Sequence, residues 1–204
     1  MNFNEVLDQR RLLPLYTVKD LEECLAVGKC LVEGNLPIIE VAFRSDYAAE
    51  GIKALSSIDG LLVGAGTVKT TAQAQQAIES GAAFLVTPGL SAEVVEYAKE
   101  QNVPIVAGAV TPSEIMQANQ LGLTCLKFFP ADVYGGISAL KALHGPFFES
   151  TFVPTGGVTL ENYKEYLALN YVKAVGGSFI LPKELLKAKD WQGLSSFIKG
   201  LQQY

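Results

Sequence analysis

Two residues of this 204-residue chain invite chemistry because neither sits comfortably where the sequence puts it. The run Pro37-Ile-Ile-Glu-Val-Ala-Phe43 is apolar and β-rich, with one carboxylate at its centre. Period-2 alternation puts Ile38, Glu40 and Ala42 on one face and Ile39, Val41 and Phe43 on the other. The bulkier apolar set suits a covering layer of helices, so Glu40 is expected to point inward. A carboxylate there is costly unless paired or protonated, and desolvation favours the protonated form that acid–base catalysis uses. The run Thr124-Cys-Leu-Lys-Phe-Phe129 is built the same way, with Cys125, Lys127 and Phe129 opposite Leu126 and Phe128. Burying an ammonium favours the neutral amine, the form that attacks a ketone to give an imine. Each residue alone has a plainer reading: Glu40 as half of a buried ion pair, Lys127 as a lysine snorkelling to a rim. A nucleophilic lysine facing an acid–base glutamate, however, supplies both halves of imine chemistry.

Further polar and glycine-containing segments fall at the ends of apolar runs. Arg44 follows Glu40 by four residues, and its planar fork suits a carboxylate or phosphate, or simply solvent. Gly64-Ala-Gly-Thr67, Thr155-Gly156-Gly157 and Gly176-Gly177-Ser178 are turns in which backbone N–H groups can approach an anion closely. Ser178-Phe-Ile-Leu-Pro182 is able to begin a short helix with free amides. Thr87-Pro88-Gly-Leu90 is either a plain turn or a pocket wall.

The elements that must hold these residues recur at regular intervals. Apolar β-rich runs occupy 12–16, 37–43, 61–65, 83–87, 104–107, 124–129, 151–154 and 172–176. Between them lie helical patterns, such as Leu21, Cys24, Leu25, Gly28, Leu31 and Val32, or Val94, Val95 and Ala98 behind a Ser91 cap. Thr111-Pro-Ser-Glu114 and Thr159-Leu-Glu-Asn162 carry a hydroxyl cap with an early carboxylate. One strand plus one helix per unit, eight times over, predicts a single-domain α/β fold spanning 1–204, a (β/α)8 TIM barrel. An open doubly wound sheet is the alternative; it usually has fewer strands, and no GxGxxG follows the first run. In an eight-strand barrel, strands 2 and 6 face each other, so Glu40 and Lys127 converge. The loops after strands 7 and 8 are the usual phosphate site.

Composition narrows the field. The chain is 49% hydrophobic and 18% charged, with net charge −5 and no run of Lys or Arg, so neither nucleic acid nor an anionic membrane surface is expected as a partner. No apolar stretch approaches a membrane span, the N-terminal residues do not resemble a secretory signal, and Cys24, Cys30 and Cys125 have no metal-binding spacing; a cytoplasmic protein with reduced thiols is expected. The one histidine, His144, lies in a helical region away from every strand end. That argues against a metal-dependent aldolase, which needs a ligand cluster, and against an isomerase of the triosephosphate kind.

Six motifs in order, Ile39-Glu-Val-Ala-Phe-Arg44, Gly64-Ala-Gly-Thr67, Thr87-Pro-Gly-Leu90, Leu126-Lys-Phe-Phe-Pro-Ala131, Pro154-Thr-Gly-Gly157 and Gly176-Gly-Ser178, resemble the bacterial 2-keto-3-deoxy-6-phosphogluconate (KDPG)/4-hydroxy-2-oxoglutarate (KHG) aldolases over nearly the full length. The resemblance implies a class I aldolase with no metal and no cofactor beyond a covalent imine. Lys127 then matches the Schiff-base lysine and Glu40 the acid–base residue. Arg44, Thr67 and Thr155 match the pyruvate end, with Pro88 beside them. Gly156, Gly157, Gly176, Gly177 and Ser178 match the phosphate region. It also implies a cytoplasmic homotrimer in the Entner–Doudoroff pathway, acting on a phosphorylated keto acid to give pyruvate. A 6-phosphogalactonate substrate and a non-catalytic phosphate-binding barrel are the alternatives. Two departures stand out: Ala107-Gly108 where the family commonly carries Pro-Gly, and Tyr16, which is expected to narrow the entrance.

Overall fold

Eight parallel strands form where the apolar runs predict them, in a computed structural model that describes residues 2–202. They are β1 (Leu12–Tyr16), β2 (Ile38–Ala42), β3 (Leu62–Gly66), β4 (Phe84–Val86), β5 (Ile105–Gly108), β6 (Cys125–Phe128), β7 (Thr151–Pro154) and β8 (Val175–Gly177). The order is β7-β6-β5-β4-β3-β2-β1-β8. Isolated bridges Phe152↔Val172 and Thr155↔Gly176 join β7 to the β8 segment and close the ring. The eighth strand was expected over 172–176, and the difference has a simple cause. Lys173 N–H donates to Phe152 O of β7 at 2.9 Å, whereas Val175 N–H donates to Arg11 O beside β1 at 3.0 Å. The segment meets the β7 side at Val172 and again at Gly176, and only its second half also pairs with β1, at Val175, Gly176 and Gly177, where the regular strand forms.

Helices α1 (Phe3–Arg10), α2 (Leu21–Glu33), α3 (Ala48–Ser56), α4 (Thr71–Glu79), α5 (Ala92–Glu100), α6 (Pro112–Gln120), α7 (Gly136–His144), α8 (Tyr163–Leu167), α9 (Lys183–Ala188) and α10 (Trp191–Leu201) surround the strands. Ser91 caps α5 over buried Val94, Val95 and Ala98 as the pattern predicts. Thr111 and Glu114 form a reciprocal capping box on α6. The buried stripe of α2 is Cys24, Val27, Gly28, Cys30 and Leu31, while Leu25 and Val32 are only half-buried. This helix packs against both α3 and α10, so its covered face is turned toward Val27 and Cys30. The Thr159 cap is a correction. Thr159 Oγ1 accepts from Glu161 N–H within a turn, and α8 starts only after Asn162, with no side-chain cap.

Strand β2 is buried on both faces, which is why its sequence is a continuous apolar run apart from Glu40. Phe84, Phe128 and Phe152 are fully buried, each contributing about 1.5–3 kcal/mol of burial free energy. The N-terminal helix, not foreseen in the sequence, sends Phe3 onto Phe84 with ring centroids 4.4 Å apart. Phe84 is the first residue of β4, so this stacked pair sits at the N-terminal end of the barrel.

Candidate active site

The register of the sheet determines what meets at the centre. Glu40 lies level with Leu15 of β1 and Gly64 of β3, and Lys127 lies level with Gly108 of β5 and Val153 of β7. Both side chains turn inward and meet: Lys127 Nζ donates to Glu40 Oε1 at 3.1 Å. Glu40 is fully buried and Lys127 is 4% exposed. Glu40 Oε2 is buried without a hydrogen-bond partner. The Phe129 ring centroid lies 5.3 Å from the Lys127 ammonium and completes its apolar surround. Taking two charges out of water costs several kcal/mol per ion, and mutual attraction at best offsets it, so such a pair is poor evidence of a stabilising device. An unpartnered buried carboxylate oxygen adds to that cost.

Glycines make room for this pair. A Cβ built on Gly66 would stand 2.0 Å from Glu40 Oε1, so the carboxylate occupies the volume a side chain would take. Next along the chain, Thr67 has φ +60°, a left-handed conformation that costs a β-branched residue about 1–3 kcal/mol and is characteristic of functional sites. Thr87 is buried; its Oγ1 accepts from Gly108 N–H at 3.3 Å and donates to Gly89 O at 2.7 Å. It thereby ties β4 to β5 and sets Pro88, whose carbonyl lies where a Cβ on Gly108 would go.

On the far side, Thr155 is buried beside Gly176, and a Cβ on Gly176 would meet Thr155 Oγ1 at 2.4 Å. Gly156 and Gly157 have φ of +87° and +76°, conformations that exclude ordinary side chains, and a side chain on Gly157 would also strike Asp132. Gly177 ends β8 and is followed by a 3-10 turn over Ser178–Ile180, the short helix expected there. Ser178 is exposed.

Arg44 is exposed at the top of β2, and both its Nε and Nη2 donate to Thr17 Oγ1, at 3.0 and 2.8 Å. A cavity of about 640 Å³ lies between this arginine and Ser178, with Leu15, Tyr16 and Leu181 among its apolar lining; Lys127 and Glu40 do not line it. Tyr16 does not constrict the barrel interior. It lies level with outward-facing Val41, its ring is buried, and its hydroxyl donates to Glu23 of α2 at 2.8 Å. Burial, reinforced by Glu23, pushes its phenol well above the usual tyrosine range. Sequence reasoning did not single out Thr17, and it read Gly66 only as part of a Gly64–Thr67 turn, whereas Gly66 is the last residue of β3. Thr17 carried the same signal as the residues it did find, a polar side chain just past a strand, while the service of Gly66 depends on which way Glu40 leans.

His144 stacks on Tyr171 at 3.9 Å, away from the strand ends. Among the described residues no group of three or more His, Cys, Asp or Glu could hold a metal ion, and no helix is long and apolar enough to cross a membrane.

Comparison with known proteins agrees with this geometry. The family model for KDPG and KHG aldolase matches residues 3–197. The KHG/KDPG aldolase of Escherichia coli K12 is 37% identical over 195 residues, covering 95% of this chain and 92% of that protein. The crystal structure of a KDPG aldolase from Legionella pneumophila, with pyruvate captured as a covalent carbinolamine intermediate, superposes with a TM-score of 0.94 at 33% identity, covering 100% of this chain and 99% of the other. A KDPG aldolase from Zymomonas mobilis with 3-phosphoglycerate gives 0.93 at 32% identity, covering 98% and 95%. A buried lysine–glutamate pair at the centre of an eight-strand barrel, together with full-length similarity of this order, establishes that the chain belongs to the KDPG and KHG aldolase family.

Proposed function

We propose that Lys127 is the Schiff-base residue and Glu40 the acid–base residue of a class I aldolase that cleaves 2-dehydro-3-deoxy-6-phosphogluconate to pyruvate and glyceraldehyde 3-phosphate. The observation that carries this reading is the buried 3.1 Å contact between the amine and a carboxylate whose second oxygen is unpartnered. The neutral amine of Lys127 adds to the C2 ketone. Glu40 passes a proton to the carbinolamine hydroxyl, and water leaves to give the iminium. Glu40, directly or through water, then takes the C4 hydroxyl proton. The C3–C4 bond breaks, the aldehyde departs, and the iminium accepts the electron pair as an enamine. Glu40 returns a proton to C3, and water hydrolyses the imine to release pyruvate and restore the amine.

Arg44 and Thr67 orient the carboxylate of the keto acid, with Thr155 and Pro88 beside them. Arg44 spends two N–H groups on Thr17, so three of the five donors of its guanidinium remain for substrate. The backbone at Gly156, Gly157, Gly176 and Gly177, with the Ser178 hydroxyl, receives the phosphate, and remote binding there holds the reacting bond in place. The enzyme also cleaves 4-hydroxy-2-oxoglutarate to pyruvate and glyoxylate, because the chemistry involves only the keto-acid head that both substrates share. It works without a metal or bound cofactor, as a cytoplasmic homotrimer in the Entner–Doudoroff pathway. Support for the assembly comes from family membership. A non-catalytic phosphate-binding barrel gives no reason for the buried pair.

The test is borohydride reduction in the presence of pyruvate, followed by peptide mass spectrometry. The expected result is a pyruvate-derived adduct on Lys127, absent from Lys127→Ala. That variant leaves Glu40 buried and uncompensated at a cost of about 3–5 kcal/mol, so the Lys127→Met/Glu40→Gln double variant serves as the folded control. A folded wild-type protein that gives no adduct would end the Schiff-base reading.

A further inference from the structure

The amides and hydroxyl at Gly156, Gly157, Gly177 and Ser178 carry no formal charge, whereas a sugar phosphate tail brings close to two negative charges at neutral pH. The cavity beside Ser178 supplies the missing charge. Lys19, Arg44, Lys183 and Lys187 all line it, and the acid among its lining residues, Glu23, is engaged by the Tyr16 hydroxyl at 2.8 Å. This local excess of positive charge runs against a molecule whose net charge is −5. Lys183 and Lys187 are four residues apart on α9 and therefore share one face of that helix. Lys183 also lines a second groove that meets the cavity at Ser178; that groove carries Glu161 and Glu184 as well, so the positive excess belongs to the cavity itself. Neither lysine forms an ion pair among the described residues, and both are exposed, so their ammonium groups are free to approach an incoming anion.

Resting on the aldolase reading above, we propose that Lys183 and Lys187 are specificity-determining residues that recognise the charge of the phosphorylated tail. Neutral donors orient a phosphate but discriminate weakly between a dianion and an uncharged polar tail. Two unpaired cations at the mouth discriminate by charge, and their exposure makes the effect one of capture, sensitive to salt. The ketone reacts at Lys127, which does not line that cavity, so their effect falls chiefly on the tail.

The experiment compares kcat/KM for 2-dehydro-3-deoxy-6-phosphogluconate with kcat/KM for the same keto acid lacking its phosphate, 2-dehydro-3-deoxygluconate, whose tail of equal carbon length ends in an uncharged hydroxyl. Lys183→Gln/Lys187→Gln is expected to lower the ratio about tenfold, equivalent to about 1.4 kcal/mol, and Lys183→Arg/Lys187→Arg to keep it. In the wild type, raising ionic strength from about 0.01 to about 0.15 M, over which the Debye length shrinks from about 30 to about 8 Å, is expected to depress the phosphorylated substrate more steeply. A ratio unchanged in the Gln variant, or equal salt slopes for the two substrates in the wild type, overturns the proposal. Borohydride trapping of pyruvate on the same preparations separates the two ideas. An intact Lys127 adduct with an unchanged ratio removes only the lysine assignment, whereas no adduct in the wild type removes the aldolase reading and this one with it.

Discussion

Replacing Gly66 with alanine tests whether the position of Glu40, and not merely its presence, sustains turnover. The added Cβ would lie 2.0 Å from Oε1, 2.5 Å from Cγ and 2.6 Å from Cδ of Glu40, while ordinary van der Waals contact begins near 3.4 Å. The carboxylate must therefore retreat by about 1.4 Å, because the Cβ is fixed to a strand whose neighbour bonds are short: Phe43 N–H donates to Gly66 O at 2.6 Å. A retreat of that size is about half the length of the 3.1 Å Lys127–Glu40 contact, so the pair cannot keep its present geometry. Misplacing a reacting group by about 1 Å costs on the order of 100-fold in rate. The assay is steady-state cleavage of the phosphorylated keto acid, together with exchange of the methyl protons of pyruvate, which reports the proton transfer alone. Gly66→Ala is expected to lose about 100-fold in kcat and in exchange, while borohydride still traps pyruvate on Lys127. Wild-type exchange in a variant of unchanged fold would refute the idea that Gly66 positions the proton carrier.

Three other outcomes are expected. Thr67→Gly relieves part of the cost of φ +60°, so the urea midpoint does not fall, while KM rises through loss of the hydroxyl at the pyruvate end. Glu114 is held below the usual carboxylate range: burial alone would raise it, but hydrogen bonds from Val110 N–H and from the Thr111 hydroxyl and N–H outweigh that. Its contribution is present above the unfolded value of about 4.3 and is lost as pH falls through the lower folded value. Glu114→Ala should therefore cost about 1 kcal/mol at neutral pH, with the gap narrowing as pH falls through the folded value; a gap independent of pH would contradict this. Tyr16, raised by burial and by Glu23, contributes stability that is complete below about pH 10 and is lost at higher pH, where the unfolded chain ionises first. Absorbance titration should find its phenol ionising only with unfolding, and Tyr16→Phe should remove one such late tyrosine.

The inward pair was legible because strand parity is a property of the chain itself. Once 37–43 and 124–129 are strands, alternation sets which residues share a face with Glu40 and Lys127, the bulkier opposite faces suit the helices, and eightfold closure brings strands 2 and 6 together. One of the three expected glycine turns was legible for a related reason, since Gly156 and Gly157 take backbone conformations that other residues avoid; Gly64 and Gly66 instead lie within β3, and Gly176 and Gly177 within β8. Properties that depend on packing between distant segments were not legible. The face that α2 buries is set jointly by α3 and α10, and the late start of β8 depends on where β1 first comes alongside the segment. The direction of Tyr16 is fixed by pairing with Val41, a register that no local pattern reveals. Arg44 could be located, but its engagement with Thr17 depends on a rotamer.

The stacked rings of Phe3 and Phe84 give the barrel a blind end. A floor closed in this way leaves the buried Lys127–Glu40 pair to be approached from the opposite end, where the strands finish and Arg44 and Ser178 stand exposed. On the proposed mechanism, the aldehyde half of the substrate lies between the bound pyruvate carbons and that mouth. The bond broken at C3–C4 therefore frees the outer fragment first, and the inner one follows once water has entered by the same route.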